Sequence, residues 1–468
     1  MLLTTMLGTK EVKELSKSQD EVFENAHDAL QSVVKISPLA AHTAILNYGK
    51  SCMPFMMTPM IHMHTNYTRN LLKISKYLPN ERIAFLTLVI DRLVQLDAHL
   101  PIGEDLYEEE SDDSDNEETP ENKATRPTKE QICRDILDQG MKVLFEFIKD
   151  YSTSDSQLLS LYEDLQIVFE TNVLPSYATG HVQFFMFYLC SLSSKIQEKF
   201  MDYLWKRFIS PNCPSILRQT AIAYIASIIA RAKFIEVGIL RLYMKKITNW
   251  VHGYLNARVD SGNDFNYVDV RAHGPFYAAS QALLYMLAFR YEELVQGPKS
   301  IDFLSKLGLG RIVTCSLNPL KVCLPPVVKN FAAIARHYQL AYCETVIQRN
   351  NRLNLPVVGT KASTTSVIGE AKPALLDTFF PFDPYRLQQS KNYVKDHYRE
   401  YQGSMLDEDS EGSEDESDSE NDETLDSDKD QSPMTTPKPK RRRLNSSGSF
   451  SGMFMDFSHA SPGFMKVE

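Results

Sequence analysis

The chain has 468 residues, of which 43% are hydrophobic and 10% aromatic, so it can bury a large core and form two or three domains. Its formal net charge of −10 is unevenly spread, because residues 104–121 carry −11 and residues 406–430 carry −13, which leaves +14 on the remainder. No run approaches the roughly 18 uncharged apolar residues of a membrane span, and seven scattered cysteines without a C-x-x-C pair argue against a disulfide framework.

Residues 1–100 are predicted to form N-terminal helical repeats. The clearest helix follows Pro79, with Asn80 as its expected N-cap and Glu81 in its first turn, where the helix dipole favours an acid. Pro101 ends this block. Apolar side chains recur at three- and four-residue steps on one face of the helix, at Ile83, Leu86, Ile90, Leu93 and Val94.

Residues 101–127 form an acidic insertion between two helical blocks. The string 104–121 holds eleven acids, no lysine or arginine and few large apolar side chains. Such a composition cannot offset the entropy lost on ordering, so we predict a disordered insertion.

Residues 128–352 are predicted to form HEAT-like helical repeats. Thr128-Lys-Glu-Gln131 matches a capping box, and β-type alternation is absent over any comparable length. Helical periodicity then covers about 132–148, 158–175, 182–192, 196–209, 214–232, 235–256, 276–294 and 325–349. Helix pairs begin near 129, 178 and 213, an irregular spacing that leaves an irregular helical bundle as the alternative.

The two last regions lose this regularity. In the segment 353–401, Leu376 to Tyr385 holds four aromatic side chains among two prolines, which disfavours a helix or a central strand and predicts an irregular anchor docked on the helices. Residues 402–468 are low in complexity, acidic first and then basic, and we predict a disordered tail.

Motifs for catalysis and cofactor binding are missing from the sequence. There is no P-loop, dinucleotide fingerprint, H-E-x-x-H or G-x-S-x-G, and Gly308-Leu-Gly310 suits a helix terminus better than a phosphate loop. His62 and His64 lack neighbouring ligands at useful spacing, so a structural role is favoured over a metal site. We therefore predict a protein that is not an enzyme, without catalytic residues, cofactor, metal or small-molecule substrate.

A basic run in the tail predicts nuclear import. Lys438-Pro-Lys-Arg-Arg-Arg443 presents five cations to the acidic groove of an import receptor, through Lys438, Lys440, Arg441, Arg442 and Arg443. The alternative is a solvated charge run that aids solubility or contacts the preceding acidic string.

Serines in the charged segments are candidate phosphorylation sites. Some have an acid three residues on and suit acid-directed kinases, namely Ser114, Ser413, Ser417, Ser419 and Ser427. Ser432 and Ser461 precede proline and suit proline-directed kinases. The acidic tail itself could solubilise the chain, bind a partner, mimic nucleic acid or mask the basic body.

Six stretches together resemble the RNA polymerase I-specific transcription initiation factor family of the TIF-IA type. In order they are Gly180-His-Val-Gln-Phe-Phe-Met-Phe-Tyr-Leu-Cys190, Arg231-Ala-Lys-Phe-Ile235, His273-Gly-Pro-Phe-Tyr277, Leu317-Asn-Pro-Leu-Lys-Val-Cys-Leu-Pro325, Val346-Ile-Gln-Arg-Asn-Asn-Arg352 and Asp377-Thr-Phe-Phe-Pro-Phe-Asp-Pro384. The resemblance runs from about Thr65 to Val394. Residues 1–49 do not match well, and family members usually have a longer N-terminal helical part, so we expect a truncated, alternative or divergent member.

The resemblance implies an all-α, HEAT-like solenoid that binds RNA polymerase I. It further implies bridging of the polymerase to the promoter-bound selectivity complex at rRNA genes, in the nucleus and nucleolus, under control by phosphorylation. Two alternatives stay open. One is a generic helical-repeat scaffold or adaptor for another nuclear partner, and the other is a factor with weak contact to promoter DNA, since the body is basic but lacks a recognition motif.

Overall fold

The computed structural model describes residues 19–56, 58–100, 128–176, 179–260, 268–353, 376 and 380–401. Within these ranges the chain forms sixteen α-helices and no strand, which confirms the predicted all-α class. The helices are α1 (Gln19–Ile36), α2 (Pro38–Ser51), α3 (Ile61–Tyr77), α4 (Arg82–Asp97), α5 (Lys129–Tyr151), α6 (Asp155–Val168), α7 (Phe184–Leu192), α8 (Ser194–Ile209), α9 (Ser215–Arg231), α10 (Val237–Asp260), α11 (Val270–Leu294), α12 (Pro298–Lys306), α13 (Leu309–Val313), α14 (Pro319–Val322), α15 (Pro325–His337) and α16 (Glu344–Leu353).

The helices pack mainly against their neighbours in sequence. Helix α3 contacts α4 and α5, α4 contacts α5 and α6, and α8 contacts α7 and α9. Helix α9 packs most extensively on α11, which also meets α10 and α15. One continuous apolar core therefore runs from Phe23 to Tyr398, as expected for stacked amphipathic helices.

Helix α5 begins at the predicted capping box. The Thr128 Oγ1 accepts the Gln131 amide at 3.2 Å, and the Gln131 Oε1 accepts the Thr128 amide at 2.8 Å. Such a cap stabilises a helix by about 1 kcal/mol. The prediction of this helix start is confirmed.

The predicted N-cap at Asn80 is wrong. Residues Pro79–Glu81 form a 3₁₀ turn, and α4 begins at Arg82 with Glu81 in the cap position and no side-chain cap bond. Arg82 instead donates to Asp164 and Ser160 of α6. This tertiary ion pair fixes the helix start where a local cap was expected.

The single helix predicted over about 325–349 is two helices. Helix α15 ends at His337, and Gln339 takes a left-handed φ of 54°. The Leu340 amide then donates back to the Ala335 carbonyl at 2.8 Å, a bond that closes the helix end. The apolar periodicity continues through this break, so periodicity alone did not mark it.

Helix α11 starts earlier than predicted. Asp269 caps it by accepting the amides of Arg271 (2.9 Å) and Ala272 (3.2 Å), and His273 leaves helical geometry one turn before the predicted start at 276. Pro275, which cannot donate an amide bond, accounts for that kink. Small buried residues then allow α9 and α11 to approach closely, among them Ala221, Ala226, Ala230, Ala279 and Ala282.

Candidate functional site

The described C-terminal segment, residues 380–401, packs back across helices from both halves of the chain. Phe382 is fully buried, with ring centroids 5.3 Å from both Phe184 and Phe187 of α7. Phe380 stacks on Tyr285 of α11 at 3.8 Å. Because Pro381 and Pro384 deny the segment regular structure, its aromatic side chains and a few polar bonds fix its position.

The first polar bond is made by a buried carboxylate of α5. Asp138 accepts the amides of Gln389 and Ser390, each at 2.8 Å, and the hydroxyl of Ser390. Hydrogen bonds to an ionised carboxylate are stronger than neutral ones. They fix the 3₁₀ turn Ser390–Tyr393 against α5.

A second contact joins the segment to α9 and α11. The guanidinium of Arg231, 1% exposed, lies 3.2 Å from Asp383 and 4.4 Å above the Phe289 ring. Tyr285 donates to the same Asp383 oxygen at 3.4 Å. Burial raises the pKa of Asp383 to about 6, although the Arg231 charge opposes that shift. The pair is therefore held by packing as well as by charge.

A third contact closes the end of the segment. Glu293 of α11 accepts from Arg290 and from Arg399. Burial favours the neutral acid, but these two arginines outweigh it and lower the pKa of Glu293. The Arg399 amide also donates to the Arg231 carbonyl at 2.6 Å, next to an isolated antiparallel bridge between Ala232 and Tyr398.

The docked segment leaves an open cleft of about 560 Å³ beside it, which we call the basic cleft. Helix α5 contributes Lys142 and Lys149 to its lining, and α7 contributes Tyr188. The docked segment contributes the rest of the lining, through Gln389, Asn392, Tyr393 and His397. Every one of these polar groups can donate a hydrogen bond, and none is an acid.

Acidic and basic side chains both lie near the basic cleft, but no acidic side chain is among its lining residues. Glu146 lies between the two lysines on α5, and Asp150 is engaged by Lys76 at 2.7 Å. Burial together with these two acids raises the pKa of Tyr393. Within the described residues Lys142 and Lys149 form no ion pair. The cleft therefore suits the binding of an anionic ligand rather than catalysis.

A family model described as RNA polymerase I specific transcription initiation factor RRN3 matches residues 2–406. The chain belongs to this family. The match begins far upstream of Thr65 and includes residues 2–49, so the N-terminal limit that the six stretches suggested is wrong. Those stretches lie in the middle and C-terminal parts of the fold, and the first hundred residues carry no comparably distinctive motif.

Curated RRN3 family relatives support this assignment. The mouse RNA polymerase I-specific transcription initiation factor RRN3 is 36% identical over 427 residues, covering 84% of this chain and 64% of the relative. The Caenorhabditis elegans factor tif-1A is 27% identical, with the same two coverages. The fission yeast factor rrn3 is 27% identical and is covered over 69% of its length. The chain thus spans less than two thirds of the mouse and nematode relatives.

A solved structure shares the fold. The crystal structure of the RNA polymerase I transcription initiation factor Rrn3 superposes with a TM-score of 0.69 over 86% of this chain and 76% of that chain, at 23% identity. This likeness confirms the predicted helical-repeat architecture.

Residues predicted to be functional in this RRN3 family member lie outside the described ranges. They are the import cations Lys438, Lys440, Arg441, Arg442 and Arg443, and the serines Ser114, Ser413, Ser417, Ser419, Ser427, Ser432 and Ser461. The described part of the fold does not test these predictions, which therefore remain predictions.

Several titratable side chains elsewhere in the fold are buried, and burial shifts their pKa values. All seven cysteines are unbridged, and burial raises the pKa of Cys133 and Cys190, and that of Cys343 to about 11. Burial lowers the pKa of His64 to about 4. In the described part of the chain no three metal-ligating side chains cluster. No helix in that part is long and apolar enough to cross a membrane.

Sequence reasoning missed the basic cleft. Lys142 and Asn392 are 250 positions apart, and the described residues between them form eleven α-helices. Two lysines seven residues apart on an amphipathic helix are also an ordinary pattern for a solvated face. The residues that line the cleft come together only because the docked segment packs beside α5 and α7.

Proposed function

We propose that this chain is an RNA polymerase I initiation factor that binds the polymerase and bridges it to the promoter-bound selectivity complex at rRNA genes. The family match over residues 2–406 carries the proposal. Relatives from mouse, nematode and fission yeast are each named as RNA polymerase I-specific initiation factors.

The architecture supports action by surface recognition. Stacked helices offer a long surface, and binding between proteins needs no cofactor. The chain outside its two acidic strings carries +14, a charge that steers association with acidic partners. Exposed apolar side chains supply candidate contact points, such as Phe55 at 76% and Tyr342 at 85% exposure.

Nuclear and nucleolar localisation follows from this proposal, with import through the five cations between Lys438 and Arg443. Their replacement by alanine should leave a fluorescently tagged chain in the cytoplasm. Re-addition of an unrelated import peptide should return it to the nucleus. Nuclear accumulation of the alanine variant alone would contradict the proposed import role.

Phosphorylation is proposed as the means of control. The acid-directed serines Ser114, Ser413, Ser417, Ser419 and Ser427 lie in the two acidic strings, and Ser432 and Ser461 lie in the tail before proline. Each phosphate would add roughly −1.5 to −2 of charge at neutral pH. Mass spectrometry of the chain from growing and starved cells would identify the modified sites.

Co-purification from nuclear extract tests the proposed partners. The tagged chain should recover RNA polymerase I subunits, and phosphatase treatment of the extract should change the amount. A helical-repeat protein of similar size with the same tag serves as control. Recovery of no polymerase I subunit would favour a generic scaffold, and salt-insensitive binding to promoter DNA alone would favour a DNA-binding factor.

A further inference from the structure

The basic cleft holds several hydrogen-bond donors that make no bond within the described fold. The side chains of Lys142 and Lys149 form neither an ion pair nor a hydrogen bond there, and the side-chain amide of Asn392 also forms no hydrogen bond. The His397 ring makes only an edge contact with Phe234. Four donors converging on one cavity without a lining acid are arranged to bind an anion.

The spacing of the two lysines suits an extended acidic peptide. Seven residues of α-helix place their Cα atoms about 10 Å apart along α5. In an extended peptide successive side chains point to opposite faces, and same-face residues i and i+2 or i and i+4 are about 7 and about 13 Å apart. Because lysine side chains are long and flexible, acids at either spacing along one face of such a peptide can meet both ammonium groups.

The chain supplies such a peptide next to the cleft. Residues 406–430 hold fourteen acids and one lysine, with acids at alternate positions, on one face of an extended chain, at Glu414, Glu416 and Asp418. Tyr401, the last described residue, is held by a 2.7 Å bond from Asn330 to its hydroxyl. From His397 in the cleft wall to Leu406 the chain can extend at most about 30 Å. The acidic string thus starts within reach of the cleft.

The other acidic string is less well placed. The described residues that flank it in sequence are Leu100 and Thr128, the latter at the start of α5. Lys142 lies about 21 Å further along that helix and Lys149 about 10 Å beyond it. The C-terminal string instead continues from the segment that builds the cleft wall.

We propose that the basic cleft is an anion-binding site whose occupant is the chain's own acidic string, residues 406–430. Phosphorylation of Ser413, Ser417, Ser419 or Ser427 strengthens this contact by adding charge to the string. Because the string is tethered, its effective concentration at the cleft is in the millimolar range. A weak contact is then sufficient to keep the cleft filled. This inference does not depend on the proposed polymerase partner.

Peptide competition on the full-length chain tests the proposal. The probe is a fluorescent synthetic peptide of residues 406–430, measured by anisotropy. It is titrated into the wild-type chain and into a full-length variant whose acids in 406–430 are replaced by their amides. The neutral-tail variant should bind the probe about tenfold more tightly, because the wild-type string competes at millimolar effective concentration. Raising salt from about 50 mM to about 300 mM should weaken binding, since exposed charges are then screened.

Cleft variants make the test specific. In the neutral-tail background, Lys142→Glu with Lys149→Glu should abolish probe binding, and the milder Lys142→Gln with Lys149→Gln should weaken it. Lys245→Glu, an exposed lysine on α10, is the matched control and should bind as before. A probe phosphorylated at the four serines should bind more tightly than the unmodified one. Circular dichroism and melting verify that each variant is folded.

Three results would overturn the proposal. Equal binding of the probe to the wild-type and neutral-tail chains would mean that the string does not occupy the cleft. Equal losses from the cleft variants and from Lys245→Glu would mean a diffuse attraction to the basic body. Tighter binding of a peptide of residues 104–121 than of the 406–430 probe would assign the cleft to the other acidic string.

Discussion

Polar residues from separate signature stretches of the sequence bond to one another in the fold. Arg231 pairs with Asp383 at 3.2 Å, and the Asn318 amide donates to Asn350 at 2.6 Å. Gln183 donates to the Pro381 carbonyl at 2.6 Å. In these three cases, residues of the motifs that carried the family resemblance form polar bonds to one another in the fold. Leaving a buried polar group without its partner is costly in free energy.

Arg231→Met should destabilise the chain strongly. The change leaves Asp383 without its ion-pair partner, and breaking one side of a buried pair costs about 3–5 kcal/mol. The measurement is the free energy of unfolding in urea. Arg207→Met on α8 is the control, because Arg207 is 35% exposed in its pair with Glu170, and it should cost less than about 1 kcal/mol. Similar losses from both changes would contradict the importance of burial.

His64 should make the fold sensitive to mild acid. Its pKa falls from 6.5 in the unfolded chain to about 4 in the folded one, chiefly through burial and then through Arg92. Because the unfolded state then binds the extra proton, His64 lowers stability as pH falls through the window from about 6.5 to about 4. At about pH 5 the loss is on the order of 2 kcal/mol. Urea titrations at neutral and acid pH should show a smaller loss for His64→Gln. An equal loss in both chains would exclude His64 as its source.

At the scale of elements, the docked C-terminal segment shows how a stretch without regular structure can be well ordered. Its backbone is irregular from Phe380 to Gln389, yet Phe382 and Leu387 are almost fully buried. Aromatic side chains supply a large buried area from few residues. The segment is therefore held by anchor residues at intervals rather than by a continuous hydrogen-bond ladder.

Phe382→Ala should release this segment. The ring is fully buried among Phe184, Phe187 and Tyr224, and its truncation should cost about 3–5 kcal/mol. Hydrogen exchange should rise in residues 380–401 more than in α3 or α4. Phe55→Ala, at a ring 76% exposed, is the control and should change stability by less than about 0.5 kcal/mol. Unchanged exchange in the segment would show that other contacts suffice to hold it.

The helices were predictable to the extent that local signals determined them. Periodicity located the long helices, and the Thr128 capping box fixed the start of α5 because both of its bonds are local. The start of α4 depends instead on Arg82 reaching Asp164, and the break at Gln339 depends on one left-handed residue. The short helices α13 and α14 have too few turns to show a period. The basic cleft depends on contacts across 250 positions, which no local pattern encodes.

At the scale of the whole molecule, residues 380–401 join α5 to the packed pair α9 and α11, which lies much later in the chain. The segment bonds to Asp138 of α5, Arg231 of α9 and Glu293 of α11. Repeat folds have mainly nearest-neighbour contacts, so their cooperativity depends on each interface in turn. A long-range contact of this kind should make the middle of the chain unfold as one unit.

A chain ending at residue 375 should therefore lose cooperativity as well as stability. Its urea unfolding should broaden or separate into two transitions, because the α5–α7 and α9–α11 regions lose their shared contact. A chain ending at residue 401, which keeps the segment, is the matched control and should unfold as the full chain does. A single transition of unchanged slope in the shorter chain, merely at lower urea, would contradict this role.

The late position of this segment also has a consequence during protein synthesis. The Asp138 carboxylate meets Ser390 252 positions later, an interval that takes about 10–50 s at ordinary elongation rates. Throughout that time the nascent helices have the apolar groove for Phe382 and Tyr385 open, and the Asp138 and Arg231 side chains have not yet met their partners. We expect ribosome-bound chains of this family to recruit chaperones until residue 401 has left the exit tunnel.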